Sequence, residues 1–227
     1  DRCKLHSHVV LDGNMTIGDD NEFFPFCSIG AAPQDTGYQG EDTRVVIGSG
    51  NKFREFATVH RGTTKDQLVT TIGNDCMFMS YSHIGHDAVV GDHCVIVNSV
   101  NLAGHVHLGD RVIIGGATSI SQYVRIGKGA FIGGASAVDR DIPPYCTGYG
   151  NRIRLKGINI VGMRRGKLDR QIITEVVDFY RGMEASALSP RNFVNQVENT
   201  EEFGENEIIS MMVKFINDSK VGIAPFV

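Results

Sequence analysis

A six-residue rhythm constrains this chain more than any other feature. Stepping by six from Ile72 gives Ile72, Phe78, Ile84, Val90, Ile96, Leu102, Leu108, Ile114, Ile120, Ile126, Ile132 and Val138, all aliphatic or phenylalanine. Such a run has a chance on the order of one in a million at this composition. The rhythm also appears as Leu5, Leu11, Ile17, Phe23, Ile29 and as Ile47, Phe53, Val59. Neither a 3.6-residue helix nor a strand of period two produces it. Short strands joined by turns do, three to a coil, with the apolar residue pointing inward. Glycine follows that residue at Gly73, Gly85, Gly91, Gly109, Gly115, Gly127 and Gly133, and is expected to supply backbone freedom at the corner. Each coil then takes about 18 residues and rises about 4.8 Å, the spacing of paired strands.

Two polar, turn-rich segments interrupt the rhythm, Gly30 to Arg44 and Arg61 to Val69. Insertions on a solenoid tend to carry binding function, an expectation stronger for the first than for the second. After Val138 the pattern stops. A helix is expected from about Leu168, with Asp169 as cap and Ile172, Ile173, Val176, Val177 and Tyr180 on one face. A second is expected from Ser189-Pro190 and a third near Gly204, carrying Ile208, Ile209, Met212, Val213 and Ile216. The division is residues 1–150 as a parallel β-helix and 151–227 as a small C-terminal α-helical domain that caps it and packs on neighbouring subunits.

Composition excludes several classes. A formal net charge of -4 argues against a general nucleic-acid binder. No apolar run reaches the roughly 18 residues of a transmembrane segment. Five scattered cysteines without a C-x-x-C pair suit buried, inert thiols in a reducing compartment.

Stacking turns the repeat into a coordinate system, because residues 18 apart lie one above another. His86, Gly104 and Gln122 each follow an inward residue by two places and so share one edge of three successive coils. With His83, Asp87 and His105 they form a constellation. A histidine beside a carboxylate is a general base, with its tautomer fixed by the acid. A glycine N–H can receive an oxyanion. Together these suit acyl transfer to a hydroxyl, although a solvated corner is the simpler account of any one histidine. Zinc, as in gamma-class carbonic anhydrases, needs three converging imidazoles. His83 and His86 straddle an inward residue, so no metal is assigned. His6, His8, His60, His93 and His107 read as surface histidines. A basic stretch (Arg152, Arg154, Lys156, Arg164, Arg165, Lys167, Arg170) suits an anionic partner, a diphosphate or an acidic carrier protein.

The strings PQDTGYQGEDTRVVIG (33–48), REFATVHRGT (54–63), SHIGHD (82–87), LAGHV (102–106), IPPYCTGYGN (142–151) and GINIVGMRRG (157–166) are not shared by generic hexapeptide proteins. With them the chain resembles, almost end to end, the bacterial UDP-N-acetylglucosamine O-acyltransferases that open lipid A biosynthesis. The resemblance implies a left-handed coil and a cytoplasmic homotrimer with its sites between neighbouring β-helices. It implies that a 3-hydroxyacyl chain moves from acyl carrier protein to the 3-hydroxyl of the UDP-sugar, without metal, cofactor or covalent enzyme intermediate. His86 matches the general base, Asp87 its orienting acid, and Gly104 the oxyanion donor. Gln34, Asp35, His83, His105 and Gln122 match contacts to sugar nucleotide or acyl chain, Asn159 and Arg165 positions near diphosphate and carrier, and Gly134 the limit on acyl length.

Three positions depart from the common pattern: Ser121 for a histidine, Val161 for an acidic residue, and Gly37 for a lysine after QD. They leave open an acceptor with a 3-amino group, and hence an N-acyltransferase. A coenzyme A-dependent acetyltransferase, a metal-binding hydratase and a purely structural trimer are the other readings. The chain opens inside a hexad without methionine, so further hexads are expected in front of Asp1.

Overall fold

The structure, a computed structural model, describes residues 1–227. Residues 1–149 wind into a left-handed parallel β-helix whose three faces are sheets of nine, seven and six strands. Most strands are two residues long. His83-Ile84 pairs with Asn101-Leu102 one coil on, the 18-residue step read from the sequence. The insertions lengthen that step: Ile29 pairs with Val59, and Ile47 with Ile72.

All twelve hexad residues from Ile72 to Val138 are at most 3 % exposed. Full burial of such a side chain stabilises by about 1.5–3 kcal/mol, and the column continues in Phe23, Phe53 and Phe78, whose rings stack at 5.0 and 4.7 Å. Leu5 and Leu11 depart from expectation. They are 54 % and 38 % exposed, because they lie on the end coil with no turn beneath them in this chain.

The glycines need a second correction. Positive φ recurs every sixth residue, at Asp75, Tyr81, Asp87, His93, Ser99, His105, Arg111, Ala117 and Tyr123, two places after the position glycine favours. Left-handed backbone costs a non-glycine residue roughly 1–2 kcal/mol, and burial of the adjacent inward side chain offsets it. What demands glycine at Gly91 is space: a Cβ there would stand 2.7 Å from the Asp110 backbone nitrogen of the next coil.

Ile142 extends the inward column, and Cys146–Tyr149 adds the last parallel strand. Arg154–Ile158 folds back antiparallel and covers that edge, which removes a template for further pairing. Four helices follow. The first, α1 (Ile160–Arg165), is capped by Asn159, which accepts the Gly162 N–H; its six residues show no helical period in the sequence. The expected helices appear as α2 (Arg170–Ala185, cap Asp169), α3 (Pro190–Val194, cap Ser189) and α4 (Glu207–Asn217, cap Asn206). Their buried faces, with Val176, Met183, Met212 and Ile216, join the same apolar cluster as the coils. All five cysteines are free, four of them buried. No helix is long and apolar enough to cross a membrane.

Candidate active site

The edge between the seven- and six-stranded sheets carries the histidine cluster. Asp87 sits at its left-handed corner, φ 58°, 2 % exposed. Four contacts fix it: its N–H donates to Thr70 Oγ1 (2.9 Å), Oδ1 accepts the Thr63 N–H (2.8 Å), and Oδ2 accepts the Thr63 hydroxyl (2.6 Å) and pairs with His86 Nδ1 (2.9 Å). A carboxylate facing Nδ1 places the imidazole proton there and leaves Nε2 with its lone pair, the form a general base requires.

The His86 ring lies across Gly104. A Cβ at 104 would stand 2.4 Å from Cε1 and 2.6 Å from Nε2, so the ring occupies the space a side chain would need. The Gly104 N–H donates to no backbone carbonyl or side chain. A free donor beside a basic nitrogen is the geometry that can receive charge developing on a carbonyl oxygen.

His105 is 4 % exposed and perpendicular to His86, with ring centroids 5.1 Å apart. Its Nδ1 meets Asp66 Oδ2 at 3.2 Å, its Nε2 lies 3.8 Å from Asp87 Oδ2, and its face stacks on Tyr123 at 4.5 Å. His83 Nδ1 bonds Thr58 Oγ1 at 2.8 Å; burial, and then the neighbouring His86, lowers its pKa. His60 is not the surface histidine the sequence suggests. It is 8 % exposed, edge-on to His83 at 4.9 Å, with no partner on Nδ1. Burial first, then His83 and His86, push its pKa down to about 4.

The remaining expected residues fall in three places. Asp35, from the first insertion, pairs with Lys65 of the second at 2.6 Å and accepts the Gly37 N–H at 2.7 Å; the ammonium is the main cause of its lowered pKa, and His86 contributes. Gln34 and Gln122 are exposed, the latter on the same edge one coil above Gly104. Asn159 and Arg165 lie elsewhere. They line a groove of about 750 Å³ on the nine-stranded face, with Val95, Ile113, Phe131 and Lys128, and Asn159 Nδ2 donates to Gly129 O at 2.9 Å. Gly134 occupies the third edge, where a Cβ would stand 3.1 Å from Gly116 O.

Thr63, Lys65, Asp66, Thr70 and Tyr123 were not singled out from the sequence. Tyr123 carried a signal, being 18 residues after His105. The others lie on or beside the second insertion, where counting by 18 fails.

His86, Asp87 and His105 place one ligand atom each within 4.8 Å of one another, a spacing compatible with a metal ion. Asp87 Oδ2 already accepts the Thr63 hydroxyl and faces His86 Nδ1, an arrangement that also suits holding a proton.

A family model described as UDP N-acetylglucosamine O-acyltransferase, domain 2, matches residues 141–224, and one for the bacterial transferase hexapeptide matches 70–104. An acyl-(acyl-carrier-protein)–UDP-N-acetylglucosamine O-acyltransferase of Anaeromyxobacter sp. is 43% identical over 94% of this chain and 82% of its own length. That of Psychromonas ingrahamii is 58% identical over 79% of this chain and 68% of its own length. Among solved structures, the UDP-N-acetylglucosamine O-acyltransferase of Moraxella catarrhalis superposes with a TM-score of 0.93 at 38% identity, covering 98% of this chain and 86% of that one. The strings quoted above, the coil and the helical tail thus agree with what whole-chain likeness says: this chain belongs to the UDP-N-acetylglucosamine O-acyltransferase family.

Proposed function

We propose that this protein moves a 3-hydroxyacyl group from an acyl carrier protein thioester to the 3-hydroxyl of UDP-N-acetylglucosamine, the opening step of lipid A biosynthesis. The observation that carries this reading is the Asp87-held His86 ring laid across Gly104 with Nε2 unpaired. Nε2 takes the hydroxyl proton as that oxygen attacks the thioester carbonyl. The oxyanion so formed is received by the Gly104 N–H. Collapse breaks the carbon–sulfur bond, and the proton on His86 passes to the departing thiolate. His83, His105, Gln122, Gln34 and Asp35 contact the sugar nucleotide or the acyl chain. Asn159 and Arg165 act near its diphosphate and the carrier, and Gly134 leaves room for a long acyl chain. No metal or cofactor enters these steps, and the reaction belongs to the cytoplasm.

The groove holding Asn159 and Arg165 is on a different face from His86, which supports a site completed by a second copy within a homotrimer. The test is mass spectrometry of products from mixed acyl carrier protein thioesters offered UDP-N-acetylglucosamine and its 3-amino analogue. An O-acylated hydroxy sugar is expected. An amide product alone, or transfer only from coenzyme A thioesters, contradicts the reading.

The spacing of His86, Asp87 and His105 favours one alternative, a metal-dependent hydratase. Stoichiometric zinc in the purified protein, lost together with turnover on His105→Ala, would decide for it.

A further inference from the structure

Lys65 is a cation that no quoted motif assigns, held at the mouth of the histidine cluster. Its flanking residues pin it there: Thr63 is bonded twice to Asp87, and Asp66 contacts His105. Its Nζ meets both oxygens of Asp35, at 2.8 and 2.6 Å. The Asp35 carboxylate is only 9 % exposed, whereas the Lys65 side chain is 55 % exposed. An ammonium has three donors. Two are spent on a nearly buried acid, and the outer side of the group still faces solvent. Asp35, Asp87 and the Tyr123 hydroxyl all raise the pKa of Lys65, which locates the charge among the site's own groups.

Gly37 lies beside it. A Cβ built at 37 would stand 3.5 Å from Lys65 Nζ and 3.7 Å from Cε, ordinary contact distances, so a side chain at 37 would run alongside the lysine tip. The resemblance leads one to expect lysine at 37; glycine stands there, and the cation beside that place is Lys65 of the other insertion. The edge also bears three carboxylates, Asp35, Asp66 and Asp87, which would repel an incoming diphosphate. Lys65 is the ammonium that the two insertions place among them.

We infer that Lys65 is a substrate-binding residue, donating to the diphosphate of the sugar nucleotide from the second insertion in place of a lysine at 37. This rests on the acyl transfer proposed above. The test uses the full-length chain and UDP-N-acetylglucosamine, with KM and kcat from acyl transfer and Kd from calorimetry. Lys65→Met is expected to raise KM and Kd about tenfold, the worth of one charged hydrogen bond, with kcat within about threefold of the parent. Adding Gly37→Lys to Lys65→Met is expected to bring KM and Kd back to within about threefold of the parent.

Unchanged KM and Kd in Lys65→Met would overturn the assignment. So would a double variant no better than Lys65→Met, because the lysine would then act only by holding the insertion. A parent protein that binds UDP-N-acetylglucosamine but transfers no acyl group would sink the proposed reaction and leave Lys65 to be judged on Kd. A parent that does not bind it overturns both.

Discussion

Two edges of the same prism are built on the same backbone and put to different uses. At the edge between the six- and nine-stranded sheets, glycine occurs in every coil, at Gly18, Gly48, Gly73, Gly91, Gly109 and Gly127. The residue after Gly48, Gly73, Gly91 and Gly109 satisfies the coil before it: Ser49 Oγ, Asn74 Oδ1, Asp92 Oδ1 and Asp110 Oδ1 accept the backbone N–H groups of Asp19, Ser49, Asn74 and Asp92. Those side-chain oxygens lie where a Cβ would be, so the edge is closed and self-sufficient. At the histidine edge the space against Gly104 holds the His86 imidazole. Asp87 and His105 find partners outside the repeat, in Thr63 and Asp66 of an insertion. A repeat that satisfies its own corners makes scaffold, and a corner left for an insertion to complete makes a site.

The sharpest break in that contrast comes from Asp87→Asn. The amide can still accept the Thr63 N–H, but its NH₂ would drive the His86 proton onto Nε2. A loss of about 10²-fold or more in kcat is expected, with little change in melting temperature. Near-parental kcat would mean that Asp87 only braces the insertion. Gly91→Ala tests the opposite edge. Its new Cβ meets backbone 2.7 Å away, so denaturant titration should show a loss of about 1–3 kcal/mol, while turnover per folded molecule stays at the parental level.

Thr63→Val removes one of the two Thr63 bonds to Asp87 and should cost about tenfold in kcat and about 1 kcal/mol in stability. An effect on stability alone would reduce the insertion to scaffold. The smallest effect concerns His60. Its imidazole is held neutral in the folded protein down to about pH 4, whereas unfolded histidine protonates below about 6.5. The unfolded chain therefore binds the extra proton, and stability falls as pH drops through that window. His60→Phe should flatten the fall by about one proton. An unchanged slope would show that His60 is protonated in the fold.

The coil was legible because its one rule, an inward apolar residue every sixth position, survives across twelve consecutive hexads. The same count located His86, Gly104, His105 and Gln122 on one edge. Periodicity says which way a residue points and not whether a coil lies beneath it, so Leu5 and Leu11 read as core and are exposed. It also hid why glycine recurs. The left-handed turns fall on Asp87, His105 and their equivalents, and the glycines answer to close stacking. The insertions escaped for a related reason. They add residues that belong to no register, so the reach of Thr63, Lys65 and Asp66 could not be counted. Helix α1 is too short to show a period, and its cap, Asn159, was reached only by resemblance.

The most direct measurement is turnover of 3-hydroxyacyl carrier protein and UDP-N-acetylglucosamine by His86→Ala beside the parent, with melting temperature and sugar-nucleotide affinity recorded for both. A loss of about 10²–10⁴-fold in kcat at unchanged melting temperature and affinity is the result expected of a general base. Turnover within a few-fold of the parent would contradict the account, since no other imidazole lies across the free Gly104 N–H.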